Sequence, residues 1–338
     1  MKAWRIVAGA EIAGLALTDE KPRPLGAHDV RLQPAAASLN FRDVMVLKGW
    51  YPVYSKEPII PGSDAAGDIV ETGSAVTRFK VGDRVATSFF PDWIEGRATR
   101  AKLSTALGGG SAGVLAQELV LNENALVKSP SHLDAAQAAT LSCAGVTAWN
   151  ALFVGGQIRP GETVLLLGTG GVSIWALQLA KAAGVRVIIT SSSDEKLARA
   201  RSLGADHTVN YRTTPDWETE VLRLTGGEGV DLVLEVGGGQ TAQKSIASTR
   251  LGGTVAIIGA VGGPGAGIEP RSLISSSVRL QGIYVGSRQM HQDLARFVEG
   301  AGIRPVVDSV FAFNELPQAF GHFTGGKHFG KVVVSVKG

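Results

Sequence analysis

An α/β fold is predicted, a doubly wound parallel sheet accompanied by a β-rich domain, and three features of the sequence carry that prediction. Residues 163–173 read TVLLLGTGGVS. The apolar run 164–167 has the pattern of a strand buried on both faces, and it ends in Gly168, Gly170 and Gly171. Residues 174–183 then have helical composition, and Gly184 stops them. Beyond this unit, strand-like and helix-like stretches alternate, the signature of a parallel sheet with crossover helices. Ahead of it, from 1 to 127, short alternating stretches are separated by Gly, Pro and Asp turns and read as all-β.

The Gly-rich unit carries the first chemistry. A strand, a glycine turn and a helix, with a second strand at 186–190, form the first half of a dinucleotide-binding βαβ unit. Gly168, Thr169, Gly170, Gly171 and Val172 make up the turn. Gly168 permits the tight bend. Gly170 lets the backbone approach a pyrophosphate lying on the helix N-terminus. The third position of the fingerprint is Ser173 rather than glycine, which crowds the helix-to-strand contact slightly.

Composition bounds the rest. A chain of 338 residues points to two domains. With 44% hydrophobic and 19% charged residues the composition is that of a globular protein rather than a disordered one. A net charge of +3, spread without basic blocks, gives no reason to expect nucleic acid or a membrane surface. The single cysteine excludes an intramolecular disulfide and a cysteine-rich zinc lobe. The start, MKAWRIVAGAEI, does not read as a signal peptide, and no apolar run reaches the ~20 residues of a membrane span. A cytoplasmic protein is expected.

In chain order, the expected domains are 1–127, then 128–288, then 289–338 returning to the first. The glycine-rich stretch 97–113 reads as a mobile surface loop, either inert or a lip over a substrate cleft. Residues 133–152 read as helices behind Ser131. Strands are expected at 164–167, 186–190, 230–235 and 254–258, with helices at 174–183, 194–203, 217–225 and 240–249 between them. A last strand is expected at 278–285, a connecting helix at 291–299 and a final strand at 331–336.

The end of the second strand of such a unit reads the adenosine ribose. A carboxylate there bonds the 2′-hydroxyl of NAD and repels the 2′-phosphate of NADP. This sequence has Ser191, Ser192 and Ser193 instead, with Lys196 one turn on. Three hydroxyls and a cation favour NADPH, while Asp194 and Glu195 fit the solvent-facing first turn of a helix. The serines can equally serve as that helix's cap.

The stretches SLNFRDVMVLKGWYP, PGSDAAGDIVETG, VGDRV, LSCAGVTAWNAL, GTGGVS and LGADHTVNY together resemble the medium-chain dehydrogenase/reductase superfamily, over essentially the whole chain. The resemblance implies a GroES-like catalytic domain, a Rossmann domain, a cleft between them, and a dimer or tetramer. Zinc members hold catalytic metal through Cys, His and Cys. Those positions fall here at Asn40, Ser63 and Cys143, so no metal site is expected. The six histidines form no cluster.

The zinc-free branch resembles quinone oxidoreductases and related enone and enoyl reductases. It implies that Asn40 and Tyr51 lie near nicotinamide and substrate, with Met45 where an aromatic often stands. Each has a plainer reading, Tyr51 as a packing residue of the turn at 49–52 and Asn40 as an Asx-type turn stabiliser. Thr147 matches a residue that touches the nicotinamide, and Tyr211 one near the adenosine phosphate. Lys331 matches a basic side chain that approaches the cofactor. Gly259 and Val285 are counted with the cofactor-binding residues.

Hydride transfer is the cofactor's own chemistry, oriented by the protein. A simple ketone becomes an alkoxide, which zinc would stabilise. A conjugated C=C or a quinone spreads the charge onto an oxygen that weaker donors can hold, such as Asn40, Tyr51 or backbone N–H groups. The expectation is therefore an NADPH-dependent reductase of α,β-unsaturated carbonyls or quinones acting as a homodimer on a small molecule. A metal-free alcohol or ketone dehydrogenase, and a cofactor-binding protein with little activity, stay open.

Overall fold

The computed structural model describes residues 1–51, 53, 57–259, 261–263 and 267–337. The chain divides into two compact units, Met1–Val146 with Gly286–Gly338, and Thr147–Val285. The expected boundary at 127 lies ahead of this division. The segment that follows carries the short helix α3 (Ala135–Ala139), named here in chain order with the other elements, and goes with the β-rich unit.

The β-rich unit contributes β1 (Lys2–Arg5), β2 (Ala16–Asp19), β3 (Asp29–Ser38), β4 (Asp64–Thr72), β5 (Arg84–Thr87), β6 (Leu119–Asn122) and β7 (Leu126–Lys128). The other unit contributes β8 (Thr163–Leu166), β9 (Arg186–Ser191), β10 (His207–Asn210), β11 (Val230–Glu235), β12 (Thr249–Ile257) and β13 (Arg279–Gly282). The chain then returns with β14 (Val307–Ala312) and β15 (Lys331–Ser335). The larger sheet of the β-rich unit runs β14-β15-β3-β4-β5-β7, with β6 also on β3. Its register gathers the site. Ser38 at the end of β3 faces Val333 of β15 on one side and Asp64, the first residue of β4, on the other. Side chains near those three strand ends therefore converge. Leu32, Leu39, Ile69, Leu115 and Phe320 pack the core beneath.

The other unit is a six-stranded, all-parallel sheet in the order β10-β9-β8-β11-β12-β13. The order reverses between β8 and β11. Such a switch point leaves a crevice outside the carboxyl ends of the strands. Its helices are α5 (Gly171–Ala182), α6 (Asp194–Ser202), α7 (Trp217–Leu224), α8 (Ala242–Ala247) and α9 (Pro270–Ser276). Leu165, Ile188, Val209, Trp217, Val221 and Val233 form its core.

Several expectations are corrected. The stretch 1–127 is not all-β: α1 (Phe41–Leu47) and the short α2 (Arg100–Leu103) lie in it. The Asp43 carboxylate accepts from the Asn40 backbone N–H at 2.8 Å, a box that starts a helix where a turn was expected. The stretch 97–113 is not a loop on the surface throughout. Ala106 and Leu107 are buried, and a Cβ on Gly109 would strike both Arg42 and Tyr51 at 2.8 Å, so 106–109 form a packed floor while 110–112 are exposed. The last strand is Arg279–Gly282 rather than 278–285; the left-handed backbone of Val285 (φ 51°) cannot continue an extended run. β10 was not foreseen, being only four residues of mixed polarity. Pro52, in the turn assigned to Tyr51, lies outside the described residues.

Candidate functional site

In the β-rich unit the residue types singled out from sequence meet in a buried polar cluster. Asn40 is the N-terminal boundary residue of α1 and is 6% exposed. Its amide oxygen accepts from the Lys331 ammonium, which also donates to the Leu39 carbonyl at 2.6 Å. Its Nδ2 reaches the Ser38 carbonyl at 3.4 Å, a long bond. Asp64, fully buried, accepts at one oxygen from the Ser63 hydroxyl at 2.7 Å and at the other from the Cys143 backbone N–H at 3.2 Å. Burial pushes the Asp64 carboxyl up, against the pull of Lys331 and of hydrogen bonds from Ser63 and Asn40. Burial likewise pushes the Lys331 ammonium down, opposed by Asp64, Cys143 and Asp43.

Tyr51 belongs to the same neighbourhood through Arg42. Burial disfavours the Arg42 guanidinium charge, but Asp43 and Tyr51 outweigh it and hold that group above its ordinary value. The guanidinium donates to Asp43 Oδ1 at 3.0 Å and lies 4.5 Å from the Tyr51 ring centroid and 5.2 Å from that of Phe89. Asp43 in turn accepts from the Asn40 backbone. A chain of contacts thus runs from Tyr51 through Arg42 and Asp43 to Asn40. Tyr51 itself is 8% exposed and also packs in the hydrophobic core.

The Gly-rich turn sits where the strand order reverses. Gly168 has φ +71°, a conformation that needs glycine, and its N–H donates to Thr190 Oγ1 at 3.3 Å. Gly170 is the cap residue of α5. A Cβ built on Gly168 or Gly170 would meet no atom within 4 Å, so the turn faces open space at a helix N-terminus. Thr169 is buried, and Gly171 and Val172 open the helix half-exposed. Ser173, in the third fingerprint position, is accommodated because its hydroxyl donates to the Leu167 carbonyl at 2.7 Å. This turn fits the pyrophosphate of a dinucleotide.

Beside it, the ends of β9 and β10 gather the residues expected at the adenosine. Ser191 is buried, and its carbonyl accepts from Tyr211 N–H at 3.1 Å. Ser193 caps α6, accepting from the Lys196 backbone at 3.3 Å. Capping is therefore the work of Ser193; Ser192 and Lys196 are half-exposed and Tyr211 exposed. The Asp194 carboxylate is exposed and accepts from Asn210 Nδ2 at 2.7 Å. Elsewhere in this unit Thr147 is buried in α4 (Val146–Trp149), and the strained Val285 is held by Asn150, whose Nδ2 donates to its carbonyl at 2.8 Å.

Four charged groups of these sites escaped the sequence reading. Asp64, Asp43 and Arg42 are three; the fourth is Glu235. Its buried carboxylate accepts from Gly237 N–H at 2.7 Å, Gly238 N–H at 2.9 Å, Thr241 Oγ1 at 2.6 Å and the Ser245 hydroxyl. That clamp ties the loop after β11 and shortens the expected helix 240–249 to α8. The same loop accepts from Val261 and Gly262, next to Gly259. The available signal was a lone acid closing an apolar run and followed by three glycines.

The residues in the zinc-ligand positions do not fit that metal. The Asn40 oxygen already holds an ammonium, and Ser63 donates its proton to Asp64. The Cys143 thiol is pushed up by burial and by Asp64, away from the thiolate that zinc requires. A divalent ion would also be repelled by Lys331.

Comparison with known proteins agrees with this architecture. Residues 26–131 match the family described as alcohol dehydrogenase GroES-like domain, and residues 171–300 the one described as zinc-binding dehydrogenase. A zinc-type alcohol dehydrogenase-like protein of Schizosaccharomyces pombe is 42% identical, over 99% of both chains. Among solved structures, one named as an alcohol dehydrogenase from Sinorhizobium meliloti superposes with a TM-score of 0.91 at 40% identity, covering 99% of each chain. A quinone oxidoreductase from Pseudomonas syringae gives 0.85 at 28% identity, again covering 99% of each. With this fold and these relatives, the chain belongs to the medium-chain dehydrogenase/reductase superfamily and is an oxidoreductase.

Proposed function

We propose that this oxidoreductase uses NADPH to reduce α,β-unsaturated carbonyls or quinones, without metal. The observation that carries the reading is the Lys331 ammonium seated on the Asn40 amide oxygen, a donor set that offers no Lewis acid to a ketone. The nicotinamide, when bound, supplies the hydride. The chain's own part begins at Gly168–Val172, where the turn and the N-terminus of α5 hold the pyrophosphate. Ser191, Ser192 and Lys196, with Tyr211, receive the 2′-phosphate end. Thr147, Gly259 and Val285 border the nicotinamide half. Tyr51 hydrogen-bonds the substrate oxygen as charge develops on it, its phenol supported by the adjacent Arg42 guanidinium. Asn40 has one N–H on the long contact to Ser38, which a substrate oxygen can take over.

Two further features complete the reading. Among the described residues no helix is long and apolar enough to cross a membrane, and the protein is proposed to work in the cytoplasm. The exposed edge strand β13 supports a homodimer. The test is oxidation of NADPH and NADH with a panel of enones, quinones, aldehydes and simple ketones. Turnover with the conjugated members and NADPH is expected. Turnover confined to aldehydes and ketones, or none with any member, sinks the reading.

A further inference from the structure

Four charged groups around Asn40 are buried together: Asp43, Asp64, Arg42 and Lys331. They balance as two carboxylates against one guanidinium and one ammonium. Arg42 is committed to Asp43 at 3.0 Å. Lys331 is left to answer Asp64, and its ammonium donates to the Leu39 carbonyl and to the Asn40 oxygen. The Asn40 amide therefore turns its oxygen to the ammonium and its nitrogen to the Ser38 carbonyl, 3.4 Å away. An amide in that setting has one orientation only, since a flip would put N–H against the ammonium and C=O against the Ser38 carbonyl.

We propose that Lys331 is a positioning residue: it locks the Asn40 amide and supplies the countercharge to the buried Asp64, in the place where zinc members carry metal. Lys331 is 2% exposed, and its ammonium is turned to Leu39 and Asn40 within its own unit. A part in holding the dinucleotide, which the resemblance implies for Lys331, is a separate role that NADPH affinity reads. Other charges facing the pair are Asp43, Arg42 and the Cys143 thiol, on α1 and on the turn 141–145. None of these is placed to replace an ammonium on the Asn40 oxygen.

The experiment compares wild type with Lys331→Met, Asp64→Asn and the double variant, in the full chain. Its turnover arm rests on the reductase reading above; its stability and binding arms do not. Lys331→Met is expected to lower the thermal midpoint by several degrees, and Asp64→Asn in that background to restore most of the loss. If the single variant does not fold, the double variant is expected to. NADPH affinity by fluorescence titration should stay within twofold in any folded variant. With the best conjugated substrate, kcat should fall at least tenfold and KM by less than threefold. The double variant should not recover kcat, because the Asn40 oxygen still lacks its donor. Independent losses in the two single variants, failure of the double variant to fold, or a tenfold loss of NADPH affinity with kcat intact would each overturn the proposal. A wild type inactive on the whole panel defeats the reductase reading, while the stability and binding arms still decide the role of Lys331.

Discussion

The Lys331 ammonium donates to the Asn40 amide oxygen across 291 positions of sequence, from the start of β15 to the N-terminal boundary of α1. This contact joins the C-terminal return of the chain to the motif NFRD. It fixes which groups around Asn40 are committed.

Tyr51→Phe keeps the packing against Arg42 and Gly109 and removes the phenol oxygen. The expected cost is ~10²-fold in kcat, the low end for an oxyanion donor, with NADPH affinity unchanged. Tyr51→Ala should in addition destabilise the protein by about 3–5 kcal/mol, the range for truncating a buried aromatic. Steady-state kinetics and thermal melts separate the two. A Phe variant within twofold of wild type removes Tyr51 from the catalytic list.

Lys196→Ala should weaken NADPH by roughly 1.5–3 kcal/mol, as for a hydrogen bond to a charged group, and leave NADH nearly unchanged. Fluorescence titration of both cofactors is the check. Wild-type protein that binds NADH as tightly as NADPH would contradict the assignment of Ser191, Ser192 and Lys196.

His291 predicts an acid limit to stability. It lies in α10 (Arg288–Ala301), is 1% exposed, and both ring nitrogens lack a hydrogen-bond partner. Burial depresses its pKa to about 3, well below the ordinary histidine value. Above the unfolded pKa of ~6.5 the ring is neutral in both states and adds no pH dependence. Below it the unfolded chain binds a proton that the folded chain refuses. Stability then falls by up to ~1.4 kcal/mol per pH unit from this group, and the loss levels off near the folded pKa of about 3. Denaturant melts between neutral pH and pH ~4 should show His291→Met losing less stability than wild type. Parallel curves would refute it.

Assembly is tested at β13. Its four residues are exposed and form the edge of the parallel sheet, a pattern that proteins usually cover. Leu280→Pro removes one N–H from the open side of that edge, opposite the side on which Ile283 N–H bonds Ile257, and should turn a dimer into a monomer at micromolar concentration, as read by sedimentation. A wild type that is already monomeric there is the contrary result.

Much of the dinucleotide-binding unit was legible because its signals are local. Four apolar residues, three glycines and a helix lie in one short stretch, and β8 with α5 appeared within three residues of the expected bounds. The helix α1 hid inside a region read as strands because only seven residues long, FRDVMVL, it lacks a clear period; the Asn40–Asp43 box was its one signal. Lys331, Asp64 and Asn40 could not be joined from sequence, since strand register alone brings β15, β3 and β4 together. Glu235 was read as the end of a strand, and its donors come from the loop that follows and from Ser245 of α8. The packed floor at 106–109 was missed because glycines that make room for Arg42 and Tyr51 look, in sequence, like glycines of a mobile loop.

The central claim is reduction of a conjugated acceptor without a Lewis acid. Its most direct test is one matched pair of substrates, an enone and its saturated ketone, given with NADPH to protein dialysed against a chelator. The account predicts that kcat/KM for the enone exceeds that for the ketone by at least ~10²-fold, the scale of a missing transition-state stabiliser, and that added zinc changes neither. Ketone turnover equal to enone turnover, or activity that disappears with the chelator and returns with zinc, would contradict it.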